Sequence, residues 1–457
     1  MKSRREFLRG AALTGVGALA AGQLGGCRSA CPVVGMGTRA DMAMAYAPIP
    51  HVRVGLLGIG NRGRLAVKRL VQVPGVEIVA MCDSIPERVS KELPFFKEKG
   101  LREPKVFTGS MDVWRKMCEM DGVDIIYICT PWLDHTPMSV YAMRCGKHVG
   151  VEVPAGMTVD ECWQLVETSE KTRRHCMMLE NCCYGRNELL ALNLCRKGVL
   201  GELIHGEAAY IHEMCEGLFN QKYSHGNWRG AYGVKHAGNS YPTHGLGPVS
   251  WYMSLNRGDK MDYLVSIESA AINRPAWAAE HLGKDHPMAN PSYYKGGQMN
   301  VSLVKTRQDR TIVVQHDIIS PRPYSRLNII SGSKGILTDF PLRVAVGEDT
   351  HDWLVPDALE AFRVKHEHPL WTKMSEQAMA LDGAHGGMDY IMDCRLFHCL
   401  QKGLPLDMDV YDAALWSCLV ELTEKSCTRR AATVDVPDFT RGAWKTATPL
   451  SVETMMV

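Results

Sequence analysis

From Val52 onward the chain alternates between short apolar, β-branched runs and stretches with apolar residues at helical spacing. This is the pattern of buried parallel strands joined by helices. Val52–Leu57 reads as a strand, Leu65, Val67, Leu70 and Val71 mark a helix, and Val76–Cys82 reads as a second strand. Val123–Thr130 and the short run Lys147–Pro154 continue the series, and Val159–Arg174 is an amphipathic helix. Beyond residue 175 the pattern shifts: strands are expected at Ile204–Ile211, Thr311–Ile319 and Leu327–Ser331, with a turn at Gly332–Gly335. Helices are expected at Tyr390–Leu400 and Tyr411–Lys425. The expected fold class is α/β, with a doubly wound parallel sheet in the first half and a second α/β domain after it.

The first strand ends in Gly58-Ile59-Gly60-Asn61-Arg62-Gly63, and the second ends in Asp83, about 20 residues after Gly63. Each part has a mechanical reason in dinucleotide binding. Gly58 permits the tight turn, Gly60 lets backbone approach a pyrophosphate at the helix N-terminus, and Gly63 allows close packing. The Asp83 carboxylate can accept the ribose hydroxyls and would repel a 2′-phosphate, which favours NAD over NADP. Arg62 and Arg64 nearby act against that preference. Pro131-Trp132-Leu133-Asp134-His135 follows the strand ending at Thr130, where open α/β sheets place ligands.

With 457 residues, 46% apolar and 22% charged, the chain fits two folded domains and excludes disorder as its main state. Lysine plus arginine is 52 against 50 acidic residues, so nothing in the balance calls for nucleic acid or an anionic membrane. Residues 1–31 read as an export signal: Arg4-Arg5 before Phe7-Leu8 and an uncharged Gly10–Gly26 run resemble a twin-arginine leader, placing the mature protein in the periplasm or cell envelope. Leu24-Gly25-Gly26-Cys27 fits either a lipoprotein box, with a lipid anchor on Cys27, or an ordinary cysteine after small residues. No stretch reads as a spanning helix. Residues 32–48 read as a linker, 49–175 as the nucleotide-binding domain and 176–457 as the substrate domain. The 16 cysteines fall within apolar patterns and read as buried thiols. No catalytic metal is expected, since His205, His225 and His236 lack ligand spacing.

From about residue 50 to the end the chain resembles the glucose-fructose oxidoreductase and inositol dehydrogenase superfamily. That resemblance implies a Rossmann domain followed by an α/β domain with a large open, mostly antiparallel sheet, and C-terminal helices packing back on the first domain. Open sheets in that superfamily often pair, so a homo-oligomer stays open. The superfamily's Glu-Lys-Pro is here Glu152-Val153-Pro154, so the lysine that assists hydride transfer is missing. The runs Cys176–Tyr184, Ala209–His212, Asn227–Arg229 and Gly238–Pro248 resemble the NAD-dependent α-N-acetylgalactosaminidases of glycoside hydrolase family 109. The resemblance implies oxidation of a sugar at C3 by bound NAD, loss of the C2 proton, elimination at C1, water addition and return of the hydride, with retention of configuration. The substrate would be a glycan with terminal N-acetylgalactosamine.

Such chemistry needs a base near C2 and donors for a developing enolate. His244 is the first candidate base and Tyr241 the second; both sit at a helix start flanked by glycine and proline. Tyr210 and His212 alternate on one strand and share a face. With Arg229 and Tyr324 they complete the candidate substrate set. On the cofactor side the candidates are Gly58, Gly60, Asn61, Arg62, Gly63, Asp83, Trp132, His135, Glu152, Val153 and Asn181. For Trp132 and His135 a plain helix entry is the alternative. A sugar dehydrogenase of the same fold, and a noncatalytic sensor, remain as competing functions.

Overall fold

The computed structural model describes residues 41–220, 227–347, 351–381 and 385–456. The leader with Arg4-Arg5 and Cys27, and also His225, lie outside the described residues. Six strands form a parallel sheet: β1 (Val52–Leu57), β2 (Val76–Cys82), β3 (Lys105–Phe107), β4 (Ile125–Ile128), β5 (His148–Val151) and β6 (Cys176–Met178), in the order β3-β2-β1-β4-β5-β6. β4 and β5 are buried at every position, as strands covered by helices on both faces must be. The strand order reverses direction between β1 and β4, so the crevice outside their carboxyl ends is the natural ligand position. The helix Val159–Thr172 begins at a capping box, Thr158 with Glu161, which explains its sharp start.

The second sheet has eight strands: β7 (Leu203–Ile211), β8 (Met261–Glu268), β9 (Asn300–Thr306), β10 (Thr311–Asp317), β11 (Ile329–Gly332), β12 (Gly335–Thr338), β13 (Arg343–Val346) and β14 (Val434–Asp435). Their order is β13-β12-β11-β7-β10-β9-β8-β14, antiparallel except where β10 pairs with β7. The turn expected at Gly332–Gly335 joins β11 to β12. The helix expected over Tyr411–Lys425 is two segments, Val410–Ser417 and Leu419–Cys427. At the break the Ser417 hydroxyl accepts from the Ala155 amide, while the Cys418 thiol donates to the Leu415 carbonyl.

The helix Met388–Lys402 is almost wholly buried and packs back against the first sheet. Arg69 Nε donates to Asp393 Oδ2 at 2.9 Å, and the Tyr127 hydroxyl donates to Asp393 Oδ1 at 2.8 Å. The described cysteines are all free thiols, mostly buried. Among the described residues no helix is long and apolar enough to cross a membrane.

Candidate active site

A cavity of about 1130 Å³ runs from the glycine turn after β1 to the end of β7. Its first end is built by the turn itself. Gly58 has φ +87°, and a Cβ there would stand 2.8 Å from the Cys129 carbonyl carbon. A Cβ on Gly63 would overlap the Gly58 carbonyl oxygen. The strand, turn and helix therefore close on one another only with glycine at both places, leaving the backbone of Gly60 and Asn61 on the cavity wall. This cradle fits the diphosphate of a dinucleotide.

Asp83 is buried beside the cradle, and its carboxylate accepts from the Ile59 and Ile85 amides at 2.8 and 2.9 Å. Arg88, which the sequence reading did not single out, stands 3.3 Å from both oxygens. The cation next to Asp83 is thus Arg88. Arg62 turns the other way, its Nε donating to Glu152 Oε1 at 2.9 Å and its Nη1 to Asp389 Oδ2 at 3.0 Å. Val153 also lines the cavity, and Asn181 Nδ2 donates to Asp389 Oδ1 at 2.5 Å. His135 lies in the wall with its ring nitrogens 2.7 and 2.8 Å from the Pro154 and Thr130 carbonyls; burial favours the neutral imidazole, whose single N–H donates to one of the two.

The other end is aromatic. Tyr210 closes β7 opposite His316 of β10. The Tyr210 ring lies 4.8 Å from that of Tyr241, 5.4 Å from His244, 6.2 Å from His212 and 6.1 Å from Tyr324. Tyr324 reaches this place because Ser325 bridges to Ile211 at the strand end. Tyr241 is set by a turn in which its amide donates to Asn239 Oδ1, just before the helix Thr243–Tyr252. Arg229 lies over Trp132, Trp228 and Tyr241, 5.0–5.4 Å from their ring centres. The substrate-side candidates are therefore brought together in one chamber, and Trp132 joins it to the cofactor end.

Three further residues organise the chamber. Glu180 is fully buried, and His244 Nδ1 stands 2.7 Å from its Oε1. Burial works against the charge of Glu180, but His244 and the Cys182 amide hold its carboxyl below the usual range. Nδ1 of His244 consequently carries a hydrogen, donated to the Glu180 carboxylate. Arg326 donates to Tyr324 Oη at 2.8 Å and is itself gripped by Glu188. Burial pushes the phenols of Tyr241 and Tyr324 upward, so both stay protonated. Since Tyr324 oxygen already accepts from Arg326, its own hydrogen is directed elsewhere. Glu180, Cys182 and His244 present ligand atoms within 4.8 Å of one another, the spacing of a metal group. Burial keeps the Cys182 thiol protonated, a poor state for a metal ligand, and Glu180 Oε1 is engaged by His244 while its Oε2 has no hydrogen-bond partner among the described residues, so the trio reads first as a carboxylate–histidine pair.

Residues 184–446 match the model of the glycosyl hydrolase 109 C-terminal domain, and residues 52–180 match that of the oxidoreductase family with an NAD-binding Rossmann fold. The chain belongs to glycosyl hydrolase family 109. Among its relatives is a protein from Bacteroides fragilis named alpha-N-acetylgalactosaminidase, 45% identical over 408 residues, which span 88% of this chain and 95% of that one. A glycosyl hydrolase family 109 protein from Shewanella pealeana is 44% identical over 98% of this chain and 99% of its own. Among solved structures, scyllo-inositol dehydrogenase from Lactobacillus casei with NAD(H) and scyllo-inositol aligns with a TM-score of 0.59 at 13% identity, over 84% of this chain and 99% of that one. Aldose-aldose oxidoreductase from Caulobacter crescentus gives 0.59 at 16%, over 84% and 99%. These last two establish the fold alone. The family 109 chain is a glycosidase with an NAD-binding Rossmann domain.

Proposed function

We propose that this family 109 glycosidase releases terminal α-linked N-acetylgalactosamine with retention of configuration, using NAD that is regenerated in each turnover. The observation that carries the reading is the Glu180–His244 pair, set among Tyr210, Tyr241 and Tyr324 in a chamber continuous with the glycine cradle. Bound NAD would supply a hydride acceptor for the sugar C3 and return the hydride at the end. The residues of the cradle and Asp83 would hold its diphosphate and adenosine ribose. His244, with Nδ1 fixed by Glu180, takes the C2 proton on Nε2. Tyr241 and Tyr324, both kept protonated, donate hydrogen bonds to the sugar oxygens where negative charge develops. Arg229 receives the acetamido carbonyl. Oxidation at C3 also releases the hydroxyl proton, and with the superfamily lysine missing after Glu152 that proton passes to solvent in the chamber and is regained when the ketone is reduced again.

The test is release of p-nitrophenol from its α-N-acetylgalactosaminide by protein purified without added cofactor, with absorbance at 340 nm followed in parallel. Many turnovers with no net NADH are expected. NADH accumulating from free sugar and NAD⁺, without p-nitrophenol, would instead make the enzyme a sugar dehydrogenase.

A further inference from the structure

The cofactor end of the cavity is completed by residues from the far end of the chain. Between the helices Pro369–Leu381 and Met388–Lys402, Gly386 and Gly387 both have positive φ, +62° and +86°, and a Cβ on Gly387 would stand 2.8 Å from Ala378 Cβ. The tight turn this allows puts His385, Gly386 and Met388 on the cavity wall, opposite the cradle. Asp389, in the first turn of the helix, lies at the centre of the contact. Its Oδ2 accepts from Arg62 Nη1 at 3.0 Å and from His385 Nδ1 at 2.9 Å, and its Oδ1 accepts from Asn181 Nδ2. His385 Nδ1 is also 3.3 Å from Arg62 Nη1, but one nitrogen cannot donate to the carboxylate and accept from the guanidinium together; the carboxylate is the stronger acceptor. Burial alone would raise the carboxyl of Asp389, yet Arg62, His385 and Arg69 hold it well below the usual range, so the ties persist through neutral pH.

Docking of this helix onto the first sheet has its own fastening one turn further on, where Arg69 and Tyr127 meet Asp393 away from the cavity wall. Stability of the domain contact therefore does not call for His385, whose side chain is 41% exposed. The placement is explained by the cofactor. Arg62 stands in the first turn after the glycine cradle, where a diphosphate rests against the helix N-terminus.

We propose that His385 and Asp389 form a clasp, contributed by the C-terminal half, that holds Arg62 at the cofactor end of the cavity and sets how slowly bound NAD leaves. The inference rests on the redox-neutral reading above, in which the NAD that takes a hydride must stay to give it back. A cofactor that outlasts many turnovers serves that cycle, whereas a dehydrogenase must exchange NADH for NAD⁺ after each one.

The experiment uses the full chain, loaded with NAD and mixed with excess fluorescent etheno-NAD, and follows exchange alongside the NAD content after gel filtration and the melting temperature of the cofactor-free protein. His385→Ala is expected to speed release by at least about tenfold, the factor of one well-formed hydrogen bond, with the cofactor-free melting temperature unchanged. His385→Asn, which can still donate to Asp389, is expected to recover part of the slow release. Asp389→Asn is expected to speed release as His385→Ala does but also to lower the cofactor-free melting temperature, because Asp389 meets the buried Arg69 as well, so His385→Ala decides. Wild-type protein that binds NAD but releases it no more slowly than His385→Ala overturns the clasp and leaves the glycosidase reading standing. Wild-type protein that binds no NAD overturns both.

Discussion

His244 owes its role to a residue 64 positions earlier. Glu180 fixes the tautomer, so Glu180→Gln, which keeps shape and removes charge, is expected to lower kcat by about 10²–10⁴-fold with a smaller effect on KM. His244→Ala should fall in the same range while leaving bound NAD in place, and the double variant should be no worse than the worse single one, since the two act as a unit. Additive losses in steady-state kinetics would separate them. Asp83 carries a second residue-scale prediction. Arg88 already stands at its carboxylate, so Asp83→Ser removes the repulsion and leaves a cation for a 2′-phosphate. Binding titrations are expected to show weaker NAD and stronger NADP; unchanged affinities for both would undo the ribose assignment. Gly58, Gly63 and Asp83 were legible in the sequence because they sit in a local pattern whose geometry is short-range, whereas Tyr241 and His244 were legible through runs resembling family 109. Glu180, Glu188, Arg326 and Arg88 were not. Glu180 follows the strand β6 and looks like its end, and Glu188 lies inside a helix 138 residues from Arg326, so only the tertiary fold pairs them.

At the scale of elements, the chamber depends on how closely the helix Thr243–Tyr252 approaches β7. Glycine inside a helix costs about 1 kcal/mol relative to alanine, yet this helix keeps Gly245 and Gly247. A Cβ at Gly245 would overlap the Ala209 amide of β7, and one at Gly247 would stand 2.9 Å from Glu180 Cγ. The helix can thus lie against the sheet and against the residue that orients its own His244. Gly245→Ala is expected to cost about 1–3 kcal/mol, as overpacking does, and to reduce activity more than stability loss accounts for, because His244 moves from Tyr210. Thermal melts with kinetics on the folded fraction check this; normal activity per folded molecule would contradict it. The strands β1, β2, β4 and β7 were legible from apolar runs. The interruption at Cys418 was not, since it follows from contacts of Ser417 with Ala155 in another part of the chain.

For the whole molecule, five buried histidines among the described residues set the response to acid, His135 being lowered by burial along with the four that follow. Burial pushes His148 and His368 down to about 4 and His175 and His316 to about 3. Unfolded, each takes up a proton near pH 6.5, so from there down to about pH 4 the unfolded chain binds more protons and stability falls, by up to about 1.4 kcal/mol per pH unit per histidine. Asp393 and Asp409, raised by burial to about 6 and about 7, oppose this, because their folded carboxyls already hold protons in that window. With His135 the histidines outnumber these two carboxyls, and a net loss follows. Melting temperature is expected to drop between pH 7 and pH 4.5, and less steeply in His175→Gln; a flat profile would mean that these side chains charge without unfolding the protein. The two-domain α/β architecture was readable from the alternation of strands and helices, whereas the crossing of the helix Met388–Lys402 onto the first sheet entered the sequence reading only through family likeness.

That crossing also fixes an order of events in time. Arg62 and Arg69 leave the ribosome more than 300 residues before Asp389 and Asp393, their partners. At about 5–20 residues per second the interval is roughly 15–65 s. Over that interval the nascent first sheet can give Arg62 the carboxylate of Glu152 but leaves the buried Arg69 without one, so the nucleotide-binding half is born unfinished and is completed only when the C-terminal helix arrives.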